Sequence, residues 1–311
     1  MRKLITSLLI FLLLFLFSFS IHSKNKAITY AVAKFPTPVF NTPDIEDIFK
    51  LNSEYEKKLM DDCYNVKKLE FIAFTGTVFT INATLTKNNL KILKVSTDEY
   101  PYPGKGDYFI DARFVKIAES KVAPAKRKIK LPSRKQIIRS LLRMKGQRYT
   151  WGGNYYDGIT KLEDFYGFMD SRFSPKVIDR LLFKGVDCSG LLYQSTDGYT
   201  PRNTSKLLSY GEGIKISGLS PDQIIDKVKP LDLILWKGHM MIILGEDKII
   251  DSRIDYDESQ PGCQGGVRVY NLRTQLREIL ATKIALDEPE YLIQNGKKTF
   301  VIRRWYPTDQ R

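Results

Sequence analysis

The chain has 311 residues, 43% hydrophobic and 12% aromatic, enough apolar side chain for packed cores in two modest domains and an argument against extensive disorder. Its 49 basic against 35 acidic side chains give a formal charge of +14, two of them from Arg2 and Lys3. With only His22 and His239, a histidine-rich metal site is excluded, and no glycine loop is placed to cradle a phosphate, so no cofactor is expected.

Arg2-Lys3 and the apolar run Leu4–Ile21 read as the n- and h-regions of a signal peptide covering residues 1–23, with Ser18, Ser20 or Ser23 near the cleavage point. Left uncut, the run is just long enough to anchor the chain in a membrane. Export to a periplasm or cell envelope is expected either way. There the basic charge, +12 without Arg2 and Lys3, would attract an anionic wall or membrane surface. No basic recognition helix or aromatic RNA-binding signature is present, so nucleic acid is not an expected partner. An exported chain can form disulfides, and Cys63 with Cys263 would leave Cys188 as a free thiol.

Residues 24–117 read as short strands forming a small all-β barrel or sandwich. Ile28–Phe40 is β-branched and aromatic, although Pro36 and Pro38 limit its pairing. Ile45–Met60 has a helical apolar side. Strands are then predicted over Tyr64–Phe71, Gly76–Thr86, Leu90–Val95 and Tyr108–Val115. Residues 118–132, basic and interrupted by prolines, read as a solvated linker. From 133 to 311 the texture becomes α+β: a helix between the N-cap Ser133 and Gly146, then strands over Leu231–Trp236, His239–Leu244, Lys248–Asp251, Val267–Tyr270 and Thr299–Trp305. The aromatic insert Asn154–Lys184 reads as a wall or lid over a cleft.

In Asp187-Cys188-Ser189-Gly190-Leu191-Leu192, Asp187 can cap a helix whose first turn carries Cys188. The positive end of the helix and its free N–H groups favour a thiolate there, and can hold the oxyanion of an attacked carbonyl. His239 opens a strand, and the hairpin turning near residue 245 brings Asp251 onto the same face, where a carboxylate can fix the imidazole tautomer. The expected chemistry is that of a cysteine-nucleophile hydrolase.

Tyr149-x-Trp151-Gly152-Gly153, Val186-Asp187-Cys188-Ser189-Gly190-Leu191, Pro230-Leu231-Asp232-Leu233-Ile234-Leu235-Trp236 and His239-x-x-Ile242-x-Leu244-Gly245 resemble, in order, the NlpC family of papain-like cell-wall peptidases. The resemblance implies an α+β papain-like catalytic domain of helices plus an antiparallel sheet over 133–311, preceded by a bacterial SH3-like barrel. It implies hydrolysis of peptidoglycan peptides or muropeptides, commonly between γ-D-glutamate and a diamino acid. Cys188 would be the nucleophile, His239 the general base, Asp251 the orienting third residue and Tyr149 an oxyanion donor. Trp151, Asp187, Ser189, Arg202 and Asn203 fall at substrate-binding positions. Asn203 stands where one branch of the family grips a free amine with aspartate, and Leu231 where a glycine is usual. Two other readings stay open: a non-catalytic wall-binding protein, and a thiol acyl or amide transferase or amidase.

Overall fold

The structure, a computed structural model, describes residues 29–50, 65–101, 106–119, 122–169, 173–255, 264–289, 293–294 and 296–307. The leader, Cys63, Cys263 and most of the helical stretch expected over Ile45–Met60 lie outside them. The molecule is α+β, built on two sheets whose strands are almost all antiparallel.

The N-terminal sheet comprises β1 (Thr29–Ala33), β2 (Thr37–Phe40), β3 (Leu69–Ala73), β4 (Val78–Lys87), β5 (Leu90–Ser96), β6 (Tyr108–Asp111) and β7 (Val115–Glu119), with α1 (Ile45–Phe49) after β2. Its strand order is β3-β2-β6-β5-β4-β1-β7. Asn88 and Asn89, both at positive φ, make the two-residue turn between β4 and β5, a conformation that asparagine tolerates and that matches strand twist. Pro38 lies where β2 pairs with β3, and β2 meets β6 only through Phe40 and Phe109. Phe71, Phe79, Leu93, Ile110 and Phe114 fill the core of this unit.

The second unit opens with α2 (Arg134–Arg143), started by a capping box in which the Ser133 side chain and backbone exchange hydrogen bonds with Gln136. Strand β8 (Asn154–Tyr155), α3 (Lys161–Tyr166), α4 (Pro175–Leu181) and β9 (Gly185–Val186) lead to α5 (Cys188–Ser195) and α6 (Thr204–Leu207). After β10 (Glu212–Gly213) and α7 (Pro221–Ile225) come β11 (Leu233–Trp236), β12 (His239–Gly245), β13 (Lys248–Asp255) and β14 (Gln264–Asn271). The chain then forms α8 (Leu272–Thr282), β15 (Lys283–Ala285), β16 (Ile293–Gln294) and β17 (Lys297–Arg304). The main sheet runs β10-β17-β11-β12-β13-β14, with β15 parallel to β17. Strand alternation divides its apolar side chains between two cores. Leu233, Leu235, Met240 and Ile242 pack with Ile137 of α2 and Leu191 of α5, whereas Ile234, Met241 and Ile243 pack with Leu272 and Leu276 of α8.

The described residues of the insert Asn154–Lys184 pack away from Cys188 and do not form a lid over it. Ile159, Leu162, Phe168, Leu181 and Phe183 belong to the N-terminal core, and Tyr166 stacks on Phe49 with ring centroids 4.0 Å apart. The Tyr166 hydroxyl donates to Asp111 at 2.7 Å. Asn154 behaves as an extra edge residue for β3, accepting from the Ile72 N–H at 2.9 Å and donating to its carbonyl at 2.7 Å. Apolar demand explains the difference: the insert's aromatics find a second face to bury against. Nor is the basic segment wholly solvated. Arg127 is largely buried, donating to Glu99 at 2.9 Å and to the Asp197 carbonyl at 2.9 Å, with its guanidinium over Phe74.

Leu231 sits at φ 76°, the left-handed region that disfavours a β-carbon. Its side chain is fully buried in the core beneath the main sheet, and its carbonyl accepts from the Trp305 indole at 2.8 Å. Glycine there would relieve about 1–2 kcal/mol of backbone strain, but losing a buried leucine costs about 2–5 kcal/mol or more. Leu231→Gly is therefore expected to lower stability in urea denaturation by about 1–3 kcal/mol.

Candidate active site

Helix α5 is buried along most of its length, so its start is fixed by what surrounds it. Asp187 caps it, its Oδ1 accepting from the Gly190 N–H at 2.7 Å. A β-carbon on Gly190 would collide with the Gly153 carbonyl oxygen, so only glycine lets the Trp151-Gly152-Gly153 turn lie against this helix. Ser252 of β13 donates to the Val186 carbonyl at 2.7 Å, tying the strand before Cys188 to the strand carrying Asp251.

Arg202 organises the polar side of this start. Buried and forked, it donates to Asp187 at 3.0 and 2.6 Å, to the Ser189 hydroxyl at 2.9 Å, to Asn154 at 3.0 Å and to the Gly153 carbonyl at 3.2 Å. Asp187, Ser189 and Arg202 thus face the cleft with much of their hydrogen-bonding capacity spent on one another. Asn203 caps α6, accepting from the Ser205 N–H at 3.0 Å and donating to the Tyr100 hydroxyl at 3.2 Å.

Cys188 is a buried free thiol whose sulfur lies 3.7 Å from the Thr204 hydroxyl. His239 opens β12 immediately after the Lys237-Gly238 turn. Its Nε2 lies 2.8 Å from Asp251 Oδ2, and Asp251 is fully buried. With Nε2 committed to Asp251, Nδ1 is the ring nitrogen left to turn toward Cys188. Burial alone would lower the His239 pKa, but the hydrogen bonds to Asp251 and Cys188, with their charges, outweigh it and push the group up to about 9. Trp236 covers the imidazole, with ring centroids 5.0 Å apart, and Arg253 Nε lies 3.8 Å from Asp251 Oδ2.

A pocket of about 240 Å³ opens at Cys188. Tyr149, half-buried, and Trp151, 46% exposed, form one side, and Asp187, Ser189, Arg202, Asn203 and Thr204 another. Lys237 and Gly238 border it next to His239. Sequence reasoning missed the contribution of the N-terminal unit, whose Glu70, on β3, and Tyr100, in the loop after β5, also line this pocket. Burial pushes the Tyr100 phenol up to about 12, so it stays a neutral hydroxyl. No local motif marks either residue, because they reach the cleft only through the docking of the two units. Thr204 was legible only as a neighbour of Asn203. Among the described residues no group of histidine, cysteine and carboxylate side chains could hold a metal ion.

No family model matches the chain, and no curated protein matches it. Among solved structures it is similar to an NlpC/P60 family protein from Bacillus cereus, with 15% identity and a TM-score of 0.32. The match covers 92% of this chain and 66% of that one, so the chain spans just under two thirds of its neighbour's length.

If Arg202 mainly holds the start of α5, Arg202→Met leaves a buried carboxylate without its partner. Its expected cost is about 3–5 kcal/mol in urea denaturation, recovered in part by adding Asp187→Asn. An unchanged midpoint would instead make Arg202 a substrate-binding residue without a structural role.

Proposed function

We propose that the protein is an exported cysteine peptidase that hydrolyses peptidoglycan stem peptides at the bond between γ-D-glutamate and a diamino acid. The observation that carries this reading is a buried free thiol in a small pocket, Cys188, whose charge helps raise His239, the histidine held by Asp251. The Cys188 thiolate attacks the amide carbon, and the Tyr149 hydroxyl with the N–H groups at the start of α5 receives the oxyanion. The protonated His239 gives its proton to the leaving amine, and an acyl-enzyme forms. Neutral His239 then draws a proton from water, which attacks the thioester and releases the glutamyl product. The basic surface draws the protein to anionic wall or membrane surfaces, and the N-terminal sheet serves as an SH3-like module.

The pocket's dimensions favour a short peptide end over a polymer, since its 240 Å³ falls below the range of about 300–1,000 Å³ typical of ligand sites. Glu70 supplies a carboxylate for a free N-terminal amine, a task Asn203 cannot perform as an ion. The hydrogen bond from Asn203 to Tyr100 closes the pocket against a larger neighbouring groove that those residues also line.

Mass spectrometry of defined muropeptides tests the reading. Release of L-Ala-γ-D-Glu from peptides with free L-alanine is expected, with muramoyl-blocked peptides spared and Cys188→Ala inactive. Wall binding without cleavage of either substrate would make the protein a binding module. Acyl transfer to an added amine in place of hydrolysis would make it a transferase.

The pH profile tests the role of His239. Its pKa is raised from 6.5 to about 9, so the imidazolium persists through neutral pH and is lost above about 9. The alkaline limb of kcat/KM is expected there. Asp251→Asn keeps an acceptor but removes the negative charge that raises the group, so the limb should move to lower pH and the rate should fall. An unmoved limb would remove Asp251 from this role.

A further inference from the structure

Helix α2 turns Ile137 and Leu141 into the core of the second unit, so its opposite face carries Lys135, Arg139, Leu142 and Arg143. All four are exposed, Leu142 to 45%. Lys135, Arg139 and Arg143 stand at i, i+4 and i+8, neighbours along one row of the helix surface. None of the three forms an ion pair among the described residues. Arg143 lies against the Tyr156 ring, 4.9 Å from its centroid, a support that supplies no counter-charge. The surrounding sequence supplies none either: between Glu119 and Asp157 stand eleven lysines and arginines and no acidic residue.

This arrangement works against the helix that carries it. Like charges at i and i+4 destabilise a helix, and the row contains two such pairs. The first turn has no acidic residue, so Lys135 also stands at the positive end of the helix dipole. Packing through Ile137 and Leu141 holds the helix in place without requiring any cation outside it. Leu142, beside the row, leaves apolar surface in water. Anionic groups lying above a hydrocarbon layer answer both features at once. A soluble polyanion would answer the cations and not the leucine.

We propose that the outward face of α2, with Lys135, Arg139 and Arg143 around Leu142, docks on the surface of an anionic phospholipid bilayer. Lipid phosphates meet the three cations, and Leu142 enters the boundary between headgroups and acyl chains. The inference narrows the reading that the basic surface is drawn to an anionic wall or membrane, and it does not depend on the chemistry at Cys188.

The test uses the chain from residue 24, which keeps both folded units and removes the leader's own affinity for lipid. Co-sedimentation compares vesicles of phosphatidylcholine with vesicles of an equimolar mixture with phosphatidylglycerol. Binding is expected to the mixture alone, and to weaken at about 0.5 M salt. Lys135→Gln with Arg139→Gln should weaken it about ten- to thirtyfold, about fivefold for each charge. Arg139→Lys, which keeps the charge, should stay within about twofold. Leu142→Gln should weaken vesicle binding about three- to tenfold while leaving binding to soluble polyglycerol phosphate unchanged. Glutamine suits a helix, so the urea midpoint of the paired glutamine variant should be unchanged or raised, which separates lost binding from lost fold. Lys91→Gln with Lys116→Gln removes the same net charge from exposed positions on β5 and β7, and should weaken binding less than about threefold.

An equal effect of the two glutamine pairs would overturn the docking face and leave only attraction by net charge. Polyglycerol phosphate binding as tightly as the mixed vesicles, or no effect of Leu142→Gln on them, would replace the bilayer with a wall polymer. Absence of any preference for anionic vesicles would remove the face and the membrane part of the basic-surface reading together. None of these outcomes bears on muropeptide hydrolysis, which tests the peptidase reading by itself.

Discussion

The site depends on the buried ion pair between Arg202 and Asp187. Removing both charges from water is costly, and the pair persists because the guanidinium is bound on several sides and the carboxylate also caps a helix. One interaction therefore fixes the start of α5, the position of the Cys188 sulfur and the course of the Gly153 backbone. It also anchors the residue before Asn203, and through Asn203 the contact with Tyr100. The Cys188 sulfur rests on a rigid floor because its polar supports leave few alternatives.

The second constraint is the joining of the two units. The insert spends its aromatics on the N-terminal core, and Arg127 fastens the connecting segment to Glu99, Phe74 and the end of α5. Glu70 and Tyr100 are thereby held at the cleft, so the N-terminal unit forms part of the pocket wall rather than a tethered accessory.

Much of this was legible locally. Ser133 with Gln136, Asp187 before Cys188, and the hairpin bringing Asp251 to His239 are short-range patterns, and each forms the geometry that the sequence implies. Helix α8 carried a readable signal that was overlooked: Asn271 as N-cap and apolar residues at Leu272, Leu276 and Ile279. The insert was misread for a different reason. Aromatic density says that a surface will be buried, but not against which partner, and a face on α1 and β6 lies more than fifty residues away. Glu70, Tyr100 and Arg127 were illegible as site or joining residues because their roles exist only once the two units dock.

The shared core has a consequence for how the molecule loses its structure. Because the insert's side chains belong to the N-terminal core while both its ends lie in the second unit, neither unit can melt without exposing apolar surface of the other. Unfolding should then proceed as one cooperative event. An evolutionary exchange of the N-terminal unit for another would have to replace the insert with it, so the two segments are heritable only together.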